Sequence, residues 1–129
     1  MQEYIMANLS LNPLKKALAS LEKAISQPEN EFTRDSVIQR FEFTFELSWK
    51  ALKRFLEADR PMADDSVRGI LREAHQRKLI SHLEQWFAFH KARNLSSHTY
   101  NEETAVEVYT EALKMPDLCH ELIKNLESK

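Results

Sequence analysis

Glycine is almost missing from this 129-residue chain: Gly69 stands alone, and there are only four prolines. Tight hairpin turns depend on residues that accept positive φ, so a hairpin-rich β fold is excluded. Cysteine also occurs once, as Cys119, which rules out an internal disulfide and suits a reducing cytoplasm. Net charge is only −2, so the chain as a whole is not a general binder of polyanions. No stretch approaches the roughly 18 consecutive apolar residues of a membrane span. The opening "MQEYIMANLSLNPLKK" lacks the basic start and apolar run of a signal peptide. The expectation is a cytoplasmic protein with no membrane association.

What is present fits one globular domain spanning 1–129. Hydrophobic residues make up 43% and charged residues 29%, and the length can bury a single modest core. Leu, Ala, Glu and Lys are plentiful, which favours an all-α fold. Asn12-Pro13 reads as a helix start, followed by an apolar stripe of Leu14, Leu18, Leu21 and Ile25. A second helix is predicted from about Asp35 to Glu57. It carries one stripe of Ile38, Phe41, Phe45, Trp49 and Leu52 and an offset stripe of Phe43 and Leu47. That width means burial on more than one side, and a length of roughly 33 Å makes this helix the spine.

"ADRPMADDS" supplies a loop and acidic cap for a third helix with Val67, Ile70, Leu71 and Ala74 inward. Gly69 within it costs about 1 kcal/mol relative to Ala, which suggests a close helix contact. A fourth helix with Leu83, Trp86, Phe87 and His90 runs out near Asn94. "TYNE" (99–102) has the form of a capping box for a fifth, bearing Ala105, Val108, Tyr109 and Ala112. Pro116 can start a last helix with Leu118, Leu122, Ile123 and Leu126. The fold class is therefore an antiparallel helical bundle of five or six helices.

Charge is not spread evenly. Residues 68–98 carry Arg68, Arg72, Arg77, Lys78, Lys91 and Arg93 against Glu73 and Glu84, a local net of +4, together with four of the five histidines. Such a segment can meet a few phosphates, or can simply be the solvated face of two helices. By itself, the second account is the better one.

Within this segment, "RNLSSHTY" (93–100) interrupts the helical pattern with poor helix formers. In an unbroken helix Arg93 and His98 would lie about 140° apart. A helix end at Asn94–Ser97 would let both point into one small volume. Imidazole passes protons near neutral pH, and guanidinium fits phosphate bidentately. Together they could bind a phosphodiester and move its protons without a metal. A plainer role also exists, with Arg93 complementing a helix C-terminus and His98 lying in a loop. On spacing alone the plainer role is preferred.

Other residues carry less. His75, His82 and His90 recur at seven and eight residues, but the break in the helical pattern around Ser81 and the lack of nearby carboxylates or Cys argue against a metal site. His90 could line a cleft one turn before Arg93. Trp86, Phe87 and Phe89 could stack on bases, yet their spacing suits core packing. Glu42 and Glu46 sit i,i+4, with Glu46 in register with Lys50, and a general-acid role for them has no second support. Cys119 falls among apolar positions, as a buried thiol would.

Taken with its surroundings, the segment resembles the HEPN superfamily, specifically the HepT-like group also called nucleotidyltransferase substrate-binding proteins. The signature R-x4-H-x-Y is met by Arg93, His98 and Tyr100, with Asn94 after the arginine. "VIQRFEFTFELSWKALKRFL" resembles the long second helix of that group, and "SVRGILREAHQRKLI", Trp86 and "RNLSSHTY" follow in its order. The likeness covers roughly residues 10–125.

The resemblance implies a homodimer that brings two R-x4-H motifs together. It implies a metal-independent ribonuclease toxin, needing no cofactor, with a neighbouring MNT-type nucleotidyltransferase as antitoxin. In such pairs the partner adds AMP to the motif tyrosine, here Tyr100. Arg93 would hold phosphate, His98 would transfer protons, and Asn94 or Ser97 would orient them. An alternative role for the group is a non-catalytic subunit that presents a nucleotide or other substrate to the transferase. A third is a module whose polar loop only docks that partner. The chain itself lacks the transferase's Gly-Ser loop: Gly69 is followed by Ile70, and Asp64-Asp65 are adjacent rather than spaced. Phe43 and Leu47 are the candidates for an inter-subunit seam.

Overall fold

Leu11, Leu14, Leu18 and Leu21 step by three and four residues, and all four are buried on one face of a helix. That helix, α1, runs from Gln2 to Ile25 in the computed structural model, which describes the backbone of residues 2–129 and side chains from Leu11 onward. The Asn12-Pro13 start is thus corrected, because Pro13 lies inside α1. An interior proline costs about 3 kcal/mol. Full burial of Leu11 and Leu14 on either side, at about 1.5–3 kcal/mol each, offsets it.

The spine α2 spans Glu31–Glu57, four residues longer at its start than predicted. Asn30 explains the difference. Its side chain accepts from the backbone N–H of Phe32 (2.8 Å) and Thr33 (3.0 Å), while Thr33 Oγ1 accepts from Asn30 N–H (2.8 Å). This reciprocal cap satisfies donors that would otherwise be orphaned. α2 packs against α1 and against each of the four helices that follow: α3 (Val67–Gln76), α4 (Leu83–Leu95), α5 (Glu102–Ala112) and α6 (Met115–Glu127). A 3₁₀ turn, Ser96–His98, follows α4. Among the described residues there is no strand, and no helix is long and apolar enough to cross a membrane.

Three local expectations meet different outcomes. Gly69 does allow a close approach, but not to another helix. A Cβ there would lie 2.4 Å from Asp64 Cγ and 2.5 Å from Asp64 O, in the loop that caps its own helix. Ser66 is that cap, taking Gly69 N–H on its hydroxyl, and Asp64 holds Ser66 through its N–H and Oγ. Before α5 the cap is Asn101, whose Oδ1 accepts from Thr104 N–H at 3.1 Å. Thr99 does not form the expected capping box, since its hydroxyl turns back to Ser96 O at 3.4 Å. Pro116 sits in the first turn of α6, as read from the sequence.

Candidate active site

Aromatic packing sets the register between α2 and α4. Phe41 and Phe45, one turn apart on α2, are fully buried against Phe89 and Trp86 of α4. Trp86 and Phe89 meet edge to face at 5.3 Å, a favoured geometry for such rings. Glu42 and Glu46 each follow one of the α2 phenylalanines by one residue. Arg93 follows Phe89 by one helical turn. Fixing the rings therefore brings Arg93 onto the two carboxylates.

There Arg93 Nη1 lies 3.4 Å from Glu42 Oε2, and its Nε lies 3.3 Å from Glu46 Oε1. Ser96, buried, joins them: its hydroxyl is 2.6 Å from both Glu42 Oε2 and the Arg93 carbonyl, and it accepts from Arg93 Nη1 at 3.4 Å. Glu46 also accepts from Trp49 Nε1 at 3.3 Å and faces Lys50 at 4.0 Å. Among the described residues Nη2 of Arg93 makes no hydrogen bond, and its buried Nε makes none either, its approach to Glu46 being an ion pair only. The guanidinium is held along one edge and keeps donors for something else.

α4 ends at Leu95, so the expected break in the helix is present. Beyond it, His98 and Tyr100 are exposed, with rings edge to face at 6.0 Å and Tyr100 88% accessible. No hydrogen bond or ion pair among the described residues joins His98 to Arg93. The 3₁₀ turn carries His98 outward, while Arg93 is drawn to α2. Asn94 and Ser97 are both exposed, with Ser97 Oγ donating to Asn94 O at 3.2 Å. The serine that touches Arg93 is Ser96.

Two grooves flank this cluster. One of about 500 Å³ is lined by Asp35, Glu42, Ser96, Thr99 and Tyr100 among others. The other, about 360 Å³, is lined by Glu42, Phe43, Glu46, Leu47 and Arg93. Glu42 borders both. An anchored guanidinium and an accessible phenol thus flank Glu42, with the exposed His98 ring beside that phenol.

The remaining candidates fall elsewhere. His90 stacks on Phe45 at 6.0 Å and 11°. Burial first, then the Arg68 charge, lowers its pKa below the usual 6.5, and Glu46 partly opposes them. Cys119 is buried at 3.5 Å from Ser48 Oγ, and burial pushes its thiol up to about 12, so it is no nucleophile at neutral pH. His75 lies in the last turn of α3 and His82 precedes α4. Among the described residues no three His, Cys, Asp or Glu side chains gather as metal ligands would. Trp86 and Phe89 are core, as their spacing predicted.

Residues 9–128 match the family described as nucleotidyltransferase substrate binding protein like. The chain belongs to that family. One relative, the probable ribonuclease HepT of Haemophilus influenzae, is 37% identical over 119 residues, covering 80% of this chain and 82% of its own. A solved Haemophilus influenzae structure, described as the fold of a substrate-binding domain of a nucleotidyltransferase, superposes with a TM-score of 0.80 at 34% identity. It covers 90% of this chain and 98% of that one. A Thermus thermophilus structure gives 0.79 at 31% identity, covering 88% and 98%. In this HepT-like member, sequence reasoning set Glu42 and Glu46 aside and did not single out Ser96, and it did not foresee that all three meet Arg93. The available signal was that both glutamates directly follow buried phenylalanines.

Proposed function

We propose that this HepT-like protein is a metal-independent endoribonuclease, the cytoplasmic toxin of a pair whose antitoxin is an MNT-type nucleotidyltransferase. The observation that carries this reading is the guanidinium of Arg93, held by Glu42, Glu46 and Ser96 with donors to spare, five residues before an exposed imidazole. Arg93 would bind the scissile phosphate and stabilise charge in its transition state. His98 would take the proton of the ribose 2′-OH as that oxygen attacks phosphorus, opening the chain with a cyclic phosphate on one side. The leaving 5′-oxygen then needs a proton from a second acid.

A homodimer supplies that acid as the second copy's His98. Within one copy, Glu42 and Glu46 offset the charges of Arg93 and Lys50, so the cluster by itself offers no net attraction to a phosphodiester. Phe43, 52% exposed, borders the Arg93 groove with Leu47 and offers an apolar seam for the second copy. Tyr100 is accessible to a modifying partner. AMP added there would place a phosphate and a purine beside His98 and obstruct the substrate. Asn94 and Ser97, linked to each other at the turn, support its shape.

Cleavage of total RNA in chelator, compared with His98→Ala prepared in parallel, tests the reading. The variant should cut about 10²–10⁴-fold more slowly, the usual loss of a general acid–base. Equal cutting by both would refute it. The substrate-binding descriptions of the family and of the Haemophilus structure favour a second reading, a non-catalytic subunit presenting a nucleotide to the transferase. Nucleotide binding by a wild type that cuts no RNA would support that instead. Intact mass after co-expression with the transferase tests the modification, and an inhibited complex with unmodified Tyr100 would sink it.

A further inference from the structure

The basic segment 68–98 is only partly absorbed by the site. Its first two arginines, Arg68 and Arg72, stand one turn apart on α3, both exposed. They converge on one ring: the guanidinium carbon of Arg68 lies 3.9 Å from the centroid of Phe87, and that of Arg72 lies 5.6 Å from it. Phe87 is half-buried, so its ring still reaches the surface. Arg72 faces Asp64 at 4.0 Å, whereas Arg68 forms no ion pair among the described residues. Three residues after Phe87, His90 feels both the Arg68 charge and that of Glu46, the carboxylate that faces Arg93, so the patch borders the cluster through His90. Two cations and an aromatic ring are therefore gathered beside the candidate active site, with His90 between.

We propose that Arg68, Arg72 and Phe87 form an accessory binding track for single-stranded RNA, which holds substrate beyond the nucleotides cut at Arg93 and His98. The inference rests on the ribonuclease reading and extends it. Planar guanidiniums fit phosphate oxygens in pairs, and an arginine lying on an aromatic ring is preorganised to do so. The half-exposed ring gives a base something to stack on when an arginine swings to a phosphate. The arrangement also meets a need of the site, because Glu42 and Glu46 offset the charges of Arg93 and Lys50 and leave no net positive charge there to attract a polyanion. A positive track one helix away provides the attraction without loosening the carboxylates that hold Arg93.

The test is steady-state cleavage of a labelled 12-nucleotide single-stranded RNA by wild type and by Arg68→Ala/Arg72→Ala, with thermal melts to show that the variant is folded. We expect KM to rise about tenfold while kcat stays within twofold. The slope of log(1/KM) against log salt should flatten by about 1.4, the value for two phosphate contacts on a single strand. Unchanged KM and salt slope in a folded double variant, while His98→Ala abolishes cutting, would overturn the track and leave the nuclease reading standing. If the wild type cuts nothing, fluorescence anisotropy with the same RNA decides. Weaker, less salt-dependent binding by the double variant supports the track, and identical binding overturns it. Intact RNA binding with lost affinity for the nucleotidyltransferase would likewise overturn it, because the patch would then be a protein-docking surface.

Discussion

Replacing Ser96 with alanine removes a single oxygen, yet the structure makes that oxygen a joint between two helices. Its hydroxyl carries one hydrogen and has two acceptors at 2.6 Å, Glu42 Oε2 from α2 and the Arg93 carbonyl from its own helix. Only one can be served at a time, so one bond is counted, and the charged acceptor takes it. A hydrogen bond to a charged group contributes about 1.5–3 kcal/mol. Ser96 is 7% exposed, so water does not readily replace it. A loss of about 2 kcal/mol lowers the melting temperature by about 6–10 °C in a chain this size. Ser97→Ala is the control. Ser97 is exposed and its hydroxyl meets only the Asn94 carbonyl at 3.2 Å, so the expected cost is at most about 0.5 kcal/mol.

Thermal melts of both variants check the contrast directly. A double-mutant cycle with Glu42→Gln adds the partner, and coupling between sites 96 and 42 should fall within about 0.5–3 kcal/mol. Activity is measured well below both melting points. There Ser96→Ala should lose about tenfold to a hundredfold in kcat, since it frees Arg93 to leave its working position. Equal melting points for the two serine variants, or a larger shift for Ser97→Ala, would refute the reasoning, and so would zero coupling to Glu42.

Backbone chemistry yields two opposed tests by chemical denaturation. Gly69→Ala should destabilise by about 1–3 kcal/mol, because the new Cβ meets the backbone oxygen of Asp64, which cannot rotate aside. A gain of about 1 kcal/mol, as helix propensity alone would give, would show that the contact is not there. Lys78 sits at φ 63 just past α3, where the N–H of Lys78 and Leu79 return to the carbonyls of His75 and Ala74. Lys78→Gly should therefore stabilise by about 1 kcal/mol, and a loss would refute the left-handed cap. For His90 the folded pKa lies below 6.5, so the unfolded chain takes up its proton first as pH falls. Its contribution is present above about pH 6.5 and is lost as pH falls through the folded value. Melting temperatures of wild type and His90→Gln should diverge less in acid than at neutral pH, and an unchanged difference would contradict the shift.

The bundle was legible because each helix advertises itself locally. The Leu14–Leu18–Leu21 spacing, the Phe41–Phe45–Leu52 stripe and Pro116 at the head of α6 are all short-range signals, and each is found as read. The misplaced boundaries share one cause. Pro13 and Thr99 read as helix starts by what each residue prefers, and Asn30 draws no reading of its own, but the outcomes turn on partners. Burial of Leu11 and Leu14 carries α1 through the proline. A reciprocal bond with Thr33 makes Asn30 a cap, and a free Asn101 takes the cap that Thr99 was expected to form.

The same distinction separates the readable part of the site from the hidden part. Arg93, His98 and Tyr100 fall within eight residues of one another, so a pattern can point to them. Glu42 and Glu46 lie some fifty residues earlier, and their i,i+4 spacing looks like ordinary solvated helix surface. Their surroundings follow from the tilt at which α4 crosses α2, which is set by Phe41, Phe45, Trp86 and Phe89 interlocking in the core. Once those rings are placed, the next residue on α2 and the next turn of α4 have little choice but to meet. The acidic clamp on Arg93 is thus a consequence of core packing rather than of any motif. Enlarging or shrinking a ring in that set should disturb the site even though none of the four touches it.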